Sequence, residues 1–336
     1  MCAEHFRQLG GVRPLYNLME VKLTGFWRQT ERGLPRLNGK TMKRTCFHRR
    51  NAAAFAIAAV LLAPLAPRVF GQPASGDPPA TETLWLEGNK LKLKTSIYES
   101  ASLSSHPVLV VVLHGDLLGF RTLPPTTYHY VFADQAARRI EDVVVAALLR
   151  PGYRDHSGQR SDGEHGLATG DNYTPEVVDA VAAVIEQLKA RFHPAHTVLV
   201  GHSGGAAITG DLLGRLPSTV DGALLASCPC DLVAWRKYMM RLQNNNPIWS
   251  NPIRGLSPQE LADKVLPSVH VAVLVGAIDE VAPPSMSRDY AAELKKRVNY
   301  VTLTIAPGLG HEILLEPVAY EALKSLVESL RPRGQR

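Results

Sequence analysis

Thr197-Val198-Leu199-Val200-Gly201-His202-Ser203-Gly204-Gly205-Ala206 reads as a buried strand, a sharp turn built on Gly-x-Ser-x-Gly, and the start of a helix running from Gly205 to Leu216. A serine is a weak nucleophile unless its oxygen is held clear of the backbone and beside a base, and a tight strand-to-helix turn does the first of these. Such a turn strains the serine. It also leaves room only for small residues two positions before and after it, which is where Gly201 and Gly205 stand, with Gly204 adding space. The motif alone occurs by chance in many chains. Here the apolar run before it and the helical stretch after it supply the context it needs. The competing reading is an ordinary glycine-rich strand-to-helix loop.

Outward from that turn, the chain alternates strands and helices. Thr83 to Glu87 and Lys90 to Tyr98 alternate apolar and polar residues across Gly88-Asn89, the pattern of a hairpin at a sheet edge. Pro107 to His114 and Asp142 to Leu149 are continuous apolar runs, as expected of strands covered on both faces. Thr127 to Ile140 separates them as a helix. A polar stretch from Arg150 to Tyr173 reads as a long solvated loop, and Thr174-Pro175-Glu176 opens a helix with Thr as cap and Pro in the first turn. Gly222 to Ser227, Val269 to Val275 and Tyr300 to Ile305 are further strands, with helices at Pro284 to Val298 and Glu316 to Leu330. Residues 231–268 are irregular and rich in Trp, Tyr and Met; they form either a small lid over an acyl pocket or a plain connecting helix. The fold class is α/β: one domain over residues 82–332, a mostly parallel central sheet with helices on both faces and an antiparallel hairpin at its N-terminal edge.

Ligands bind such sheets at the carboxyl ends of the strands. Four groups fall there: His114-Gly115-Asp116, Ser203, Asp279 and His311. His311, within Gly308-Leu309-Gly310-His311-Glu312, is the candidate base for Ser203, and Asp279 the acid that orients it. Glu280 and Asp231 are the other candidates for the acid. Oxyanion donors are expected from the backbone of Gly204 and of Asp116 or Leu117. His114, Gly115, Leu117, Tyr153 and His202 are expected around the substrate, with His202 also a candidate for simple packing beside the nucleophile. Asp155, His156, Asp162, Glu164 and His165 match no standard metal spacing, so neither a metal nor a cofactor is expected. Cys228-Pro229-Cys230 would close a very small ring, and two small buried residues at a strand end are expected in place of a disulfide.

With these residues in this order, the chain resembles an α/β-hydrolase over roughly residues 82–330. The resemblance carries the nucleophile onto Ser203, the acid onto Asp279, the histidine onto His311 and the oxyanion loop onto His114-Gly115. Arg150-Pro151-Gly152-Tyr153 and the turn from Gly276 to Pro283 look like those of the prolyl oligopeptidase-like and dienelactone hydrolase-like branches. The chain departs from the first by Gly204, where an aromatic residue is usual, and from the second by Ser203, where a cysteine is used. The resemblance implies a cofactor-independent serine hydrolase forming an acyl-enzyme on carboxylic esters. A peptidase acting on short peptides, or a binding protein on the same fold, are the alternatives.

The formal charge of +6 does not imply a nucleic-acid partner. Residues 1–71 carry 12 Lys and Arg against 3 Asp and Glu, and the other 265 carry 25 against 28. Within the leader, the basic segment Met42 to Arg50 precedes an apolar run from Ala52 to Ala66 and a cleavage-like Val69-Phe70-Gly71. Residues 42–71 are therefore expected to be a signal peptide cleaved near Gly71, with 1–41 an extension ahead of the true start and 72–81 a flexible linker. Export to the periplasm or medium, with no membrane anchor left after cleavage, follows from that expectation.

Overall fold

The computed structural model describes residues 77–116 and 128–331. The leader, residues 72–76 of the linker and Leu117 lie outside them. The described chain builds one eight-stranded sheet in the order β1-β2-β4-β3-β5-β6-β7-β8. β1 (Glu82–Gly88) and β2 (Leu91–Glu99) form the expected antiparallel hairpin, and β2 is antiparallel to β4 (Val143–Leu148). β3 (Val108–Leu113), β5 (His196–His202), β6 (Gly222–Ala226), β7 (His270–Gly276) and β8 (Tyr300–Ala306) continue it in parallel.

Apolar runs become central strands because both faces of the sheet are covered. Leu109, Val111 and Leu113 enter one core, Val108, Val110 and Val112 the other. α1 (Tyr128–Arg139) and α7 (Pro317–Leu330) cover the second face. α2 (Pro175–Phe192), α3 (Gly204–Arg215), α4 (Leu232–Leu242), the one-turn α5 (Pro258–Leu261) and α6 (Pro284–Leu294) lie on the first side. α2 starts as its sequence demands: Thr174 caps it, its side chain accepting from the Val177 amide, and Pro175 occupies the first turn. From β3 the chain steps to β4 on one side and then to β5 on the other, so the strand order reverses between β3 and β5. That is where an open sheet leaves a crevice at its carboxyl ends.

Two expectations need correcting. The 150–173 segment is solvated only in part: His156, Asp162, Glu164 and His165 are exposed, and other positions are tied down. Asp155, 4% exposed, is ion-paired with Lys94 of β2, His156 Nδ1 lies 2.9 Å from the Asp77 carboxylate, and Asp162 accepts the Lys92 amide at 2.9 Å. Its partners lie sixty to eighty residues earlier, beyond the reach of any local pattern. Cys228 and Cys230 are bonded to each other, both fully buried. Two residues apart, their Cα atoms are 5.1 Å from one another, inside the ordinary range for the bond. In the 231–268 region, Trp235, Met239 and Trp249 are packed into the core, the two indoles edge to face at 5.2 Å. Arg236, 2% exposed, donates to the carbonyls of Thr169, Trp249 and Asn251 and so binds α4 to its neighbours.

Asp211 of α3 is fully buried, and neither carboxylate oxygen has a partner among the described residues. Burial, and secondarily the charge of Glu260, push its pKa well above the ordinary value. The folded state therefore keeps a proton that the unfolded chain releases above about pH 4, and stability falls as pH rises from there. Asp211→Asn has no such proton. Urea unfolding at pH 5 and pH 8 should show the wild type losing stability relative to the variant as pH rises, by up to about 1.4 kcal/mol per pH unit.

Candidate active site

Ser203 follows β5 directly and caps α3 with φ 53° and ψ −118°, a left-handed backbone that a side chain rarely adopts. The turn is possible because a Cβ on Gly201 would strike the Gly205 carbonyl, and one on Gly205 would come within 2.5 Å of the His114 carbonyl oxygen. Glycine at both positions lets strand, helix and the β3 loop close on one another.

His311, on the loop after β8, places Nε2 2.9 Å from Ser203 Oγ. Its Nδ1 lies 3.0 Å from both oxygens of Asp279, on the loop after β7. Because a carboxylate only accepts, Nδ1 carries the proton and Nε2 is left to accept from the serine hydroxyl. Asp279 is 4% exposed and also accepts the Val281 and Ala282 amides at 2.9 and 2.8 Å. Burial raises its pKa, but hydrogen bonds from His311, Ala282 and Ser227 together with the His311 charge outweigh it, so the carboxyl sits below its ordinary value. Glu280 is exposed, and Asp231 caps α4 through the Ala234 amide; the acid facing His311 is Asp279.

The β3 loop closes the other side. A Cβ on Gly115 would lie 2.9 Å from Ser203 Cβ. His114 is fully buried; its Nδ1 donates to the Gly115 carbonyl at 2.7 Å and its Nε2 accepts the Arg150 amide at 3.0 Å. A trans peptide points its N–H opposite to its C=O, so this contact sets the direction of the Asp116 amide. Among the described residues neither the Asp116 nor the Gly204 amide has a hydrogen-bond partner, and Gly204 opens α3, where the helix dipole favours negative charge.

Beneath the loop lies a buried charge. Arg150, fully buried, pairs with Asp116 Oδ1 at 2.9 Å and donates to the His114 carbonyl at 3.0 Å and to Asn172 at 2.5 Å. Tyr153 donates to Asp116 Oδ1 at 3.1 Å, and the Tyr173 hydroxyl binds Oδ2. Burial works against the Arg150 charge, and Asp116 with the two tyrosines outweighs it, leaving the guanidinium more basic than usual.

Of the residues expected around a substrate, Gly115 lies against Ser203, whereas His114, Tyr153 and His202 stand behind the site with their polar atoms already engaged. Ser227, Asn172 and Tyr173 carry no motif in the sequence, and Arg150 stands there only within Arg150-Pro151-Gly152-Tyr153. Ser227 follows β6 directly, and the rule that functional groups gather where parallel strands stop would have pointed to it. Its hydroxyl donates to the His311 carbonyl at 3.2 Å.

Fold and site together define an α/β protein whose chemistry sits on a strand-to-helix turn at the carboxyl edge of a mostly parallel sheet. A family model for α/β hydrolases matches residues 110–257. Among solved structures, Est1E from Butyrivibrio proteoclasticus, with ferulic acid bound, gives a TM-score of 0.54 at 16% identity over 74% of this chain and 98% of its own. Proline iminopeptidase from Mycobacterium smegmatis gives 0.54 at 14% identity, over 74% and 98%. Acylaminoacyl peptidase from Pyrococcus horikoshii gives 0.54 at 15% identity over 72% of this chain and 39% of its own. A sequence search of curated proteins found no match. The chain has the fold of the α/β hydrolases, and residues 110–257 match that family's model.

Removing one partner of a buried pair leaves the other charge unpaired, at about 3–5 kcal/mol. Arg150→Met should therefore destabilise by about that much, and Arg150→Met with Asp116→Asn by clearly less than the two single changes summed. A double-mutant cycle by urea unfolding measures the difference.

Proposed function

We propose that the protein is an exported serine hydrolase that cleaves carboxylic esters through an acyl-enzyme on Ser203. The observation that carries the reading is the unbroken line from Ser203 Oγ to His311 Nε2 at 2.9 Å and from His311 Nδ1 to Asp279 at 3.0 Å. Ser203 Oγ attacks the ester carbonyl as its proton passes to His311 Nε2. The oxyanion is met by the Gly204 and Asp116 amides, each such donor being worth roughly 10²–10³ in turnover. Collapse breaks the acyl–oxygen bond, and His311 returns the proton to the departing alkoxide. Water then attacks the acyl-enzyme, giving its proton to His311, and the carboxylic acid leaves with Ser203 restored.

Esters are preferred over peptides because the Asp116 carboxylate, which packs against Gly204, is fully engaged by Arg150, Tyr153 and Tyr173 and has nothing to offer a substrate ammonium. A peptidase is the second reading, favoured by the two peptidases among the similar structures. Export is supported by the basic and apolar leader and by the Cys228–Cys230 disulfide, which suits an oxidising compartment.

A fluorophosphonate probe should label Ser203 in the mature protein, and Ser203→Ala should abolish both labelling and ester turnover while unfolding at the wild-type midpoint. Labelling elsewhere would sink the assignment. Asp279→Asn should lower kcat by about 10³–10⁴. Acyl p-nitrophenyl esters should be turned over faster than amino-acyl p-nitroanilides, and the mature N-terminus should lie near Gln72.

The pH profile is also constrained. Burial first, and then the charge of His311, hold His202 down at about 3, and burial holds His114 well below the ordinary imidazole value, so neither titrates in the working range. Asp279 stays ionised. Neither buried histidine should therefore add a second proton to the acid limb of kcat/KM, whose slope should be one. A slope of two in stopped-flow or steady-state rates would contradict that.

A further inference from the structure

His202 lies between the two loops that flank Ser203, and its contacts have a direction. Nε2 is 2.8 Å from the His311 carbonyl oxygen, which can only accept, so Nε2 bears the proton. In the neutral ring Nδ1 is then an acceptor, and it takes the Tyr128 hydroxyl at 3.0 Å. The Tyr128 oxygen in turn accepts the Gly115 amide. The line runs from Gly115 N–H to the Tyr128 hydroxyl, through the His202 ring, to the His311 carbonyl. Its two ends are loop backbone: the oxyanion loop on one side and the base-bearing loop on the other. Its middle is anchored, since His202 is the last residue of β5 and Tyr128 the first of α1, and the two are 4% and 1% exposed.

We infer that His202 and Tyr128 are positioning residues: together they fix the separation of the His311 loop from the Gly115-Asp116 loop across Ser203, so that base and oxyanion donors are held in one frame. This rests on the serine-hydrolase reading of the site. The His202 and His311 rings stand 5.2 Å apart, close enough that a charged His202 would oppose the proton His311 must accept. Burial keeps the inner ring neutral and its tautomer fixed. Gly115 is bound on both sides of its α-carbon, its N–H by Tyr128 and its carbonyl by His114. Neither contact touches a substrate. What they set is where the next amide points, and a misplacement of the order of 1 Å at such a site costs up to about a hundredfold in rate.

The test compares Tyr128→Phe, His202→Gln and His202→Asn with wild type on p-nitrophenyl acetate, each rate divided by the active-serine titre from fluorophosphonate labelling. A glutamine amide reaches the place of Nε2 and can still donate to the His311 carbonyl; an asparagine amide reaches only the place of Nδ1. Tyr128→Phe and His202→Asn should lower kcat per active serine by about ten- to a hundredfold with KM changed less than about threefold, and His202→Gln should recover part of the loss. Unchanged kcat per active serine in all three, whatever happens to thermal stability, overturns the inference. A second measurement is independent of activity. With 15N-labelled histidine in Ser203→Ala, His202 should show a protonated Nε2 and a hydrogen-bonded, unprotonated Nδ1 whose shift moves in Tyr128→Phe; the other tautomer overturns the chain. If wild type does not label at Ser203, the hydrolase reading fails while the nitrogen shifts still decide the geometry.

Discussion

The site depends on one strained residue. Ser203 sits at φ 53° with a full side chain, a conformation costing of order 1–3 kcal/mol that the surrounding structure must override. The override is steric and local. Gly201 and Gly205 let β5, α3 and the end of β3 approach to contact, and the Ser203 amide is paired with the Ala226 carbonyl at 2.9 Å. Everything around the serine is then arranged by where strands end. β3 brings the Gly115-Asp116 loop, β6 brings Ser227, β7 brings Asp279, and β8 brings His311.

Polar groups in so buried a setting must be satisfied, and the protein meets that demand by nesting one pair behind another. His311 is oriented by Asp279, Asp279 by the Val281 and Ala282 amides, and those amides belong to a turn that Trp235 of α4 grips through the Val281 carbonyl at 2.8 Å. On the opposite side, Gly115 is oriented by His114, His114 by Arg150, and Arg150 by Asp116 and Asn172. The reacting atoms are few. The groups that fix them extend to α4 and to residues 150–173.

The fold was legible because the central strands are apolar runs and α2 opens on its own cap, Thr174, followed by Pro175. The elbow was legible because glycines at 201 and 205 have few other uses so close to a serine. His311 and Asp279 could be assigned by chain order and by their place after strands. What stayed hidden depends on partners distant in sequence. Arg150 and Asp116 are 34 positions apart and look like surface residues until β3 and β4 pair; Lys94 and Asp155 are 61 apart. His114 and Tyr153 carry the right chemistry for a substrate site, and only their neighbours show that this chemistry is spent inward. The Cys228–Cys230 bond stays hidden because a Cys-x-Cys spacing reads equally as two small buried residues at a strand end.

That bond has an unusual scope. In the chain-entropy view a cross-link stabilises in proportion to the logarithm of the loop it closes, and a loop of three residues restricts the unfolded chain by only about 1.6 kcal/mol, roughly half what a 15-residue loop gives. Its effect is therefore less on whether the protein folds than on how stiff one stretch of backbone is once folded. That stretch begins one residue after Ser227, whose hydroxyl donates to the His311 carbonyl. The bridge lies where the chain leaves β6 and turns toward α4, directly behind the Ser227–His311 contact.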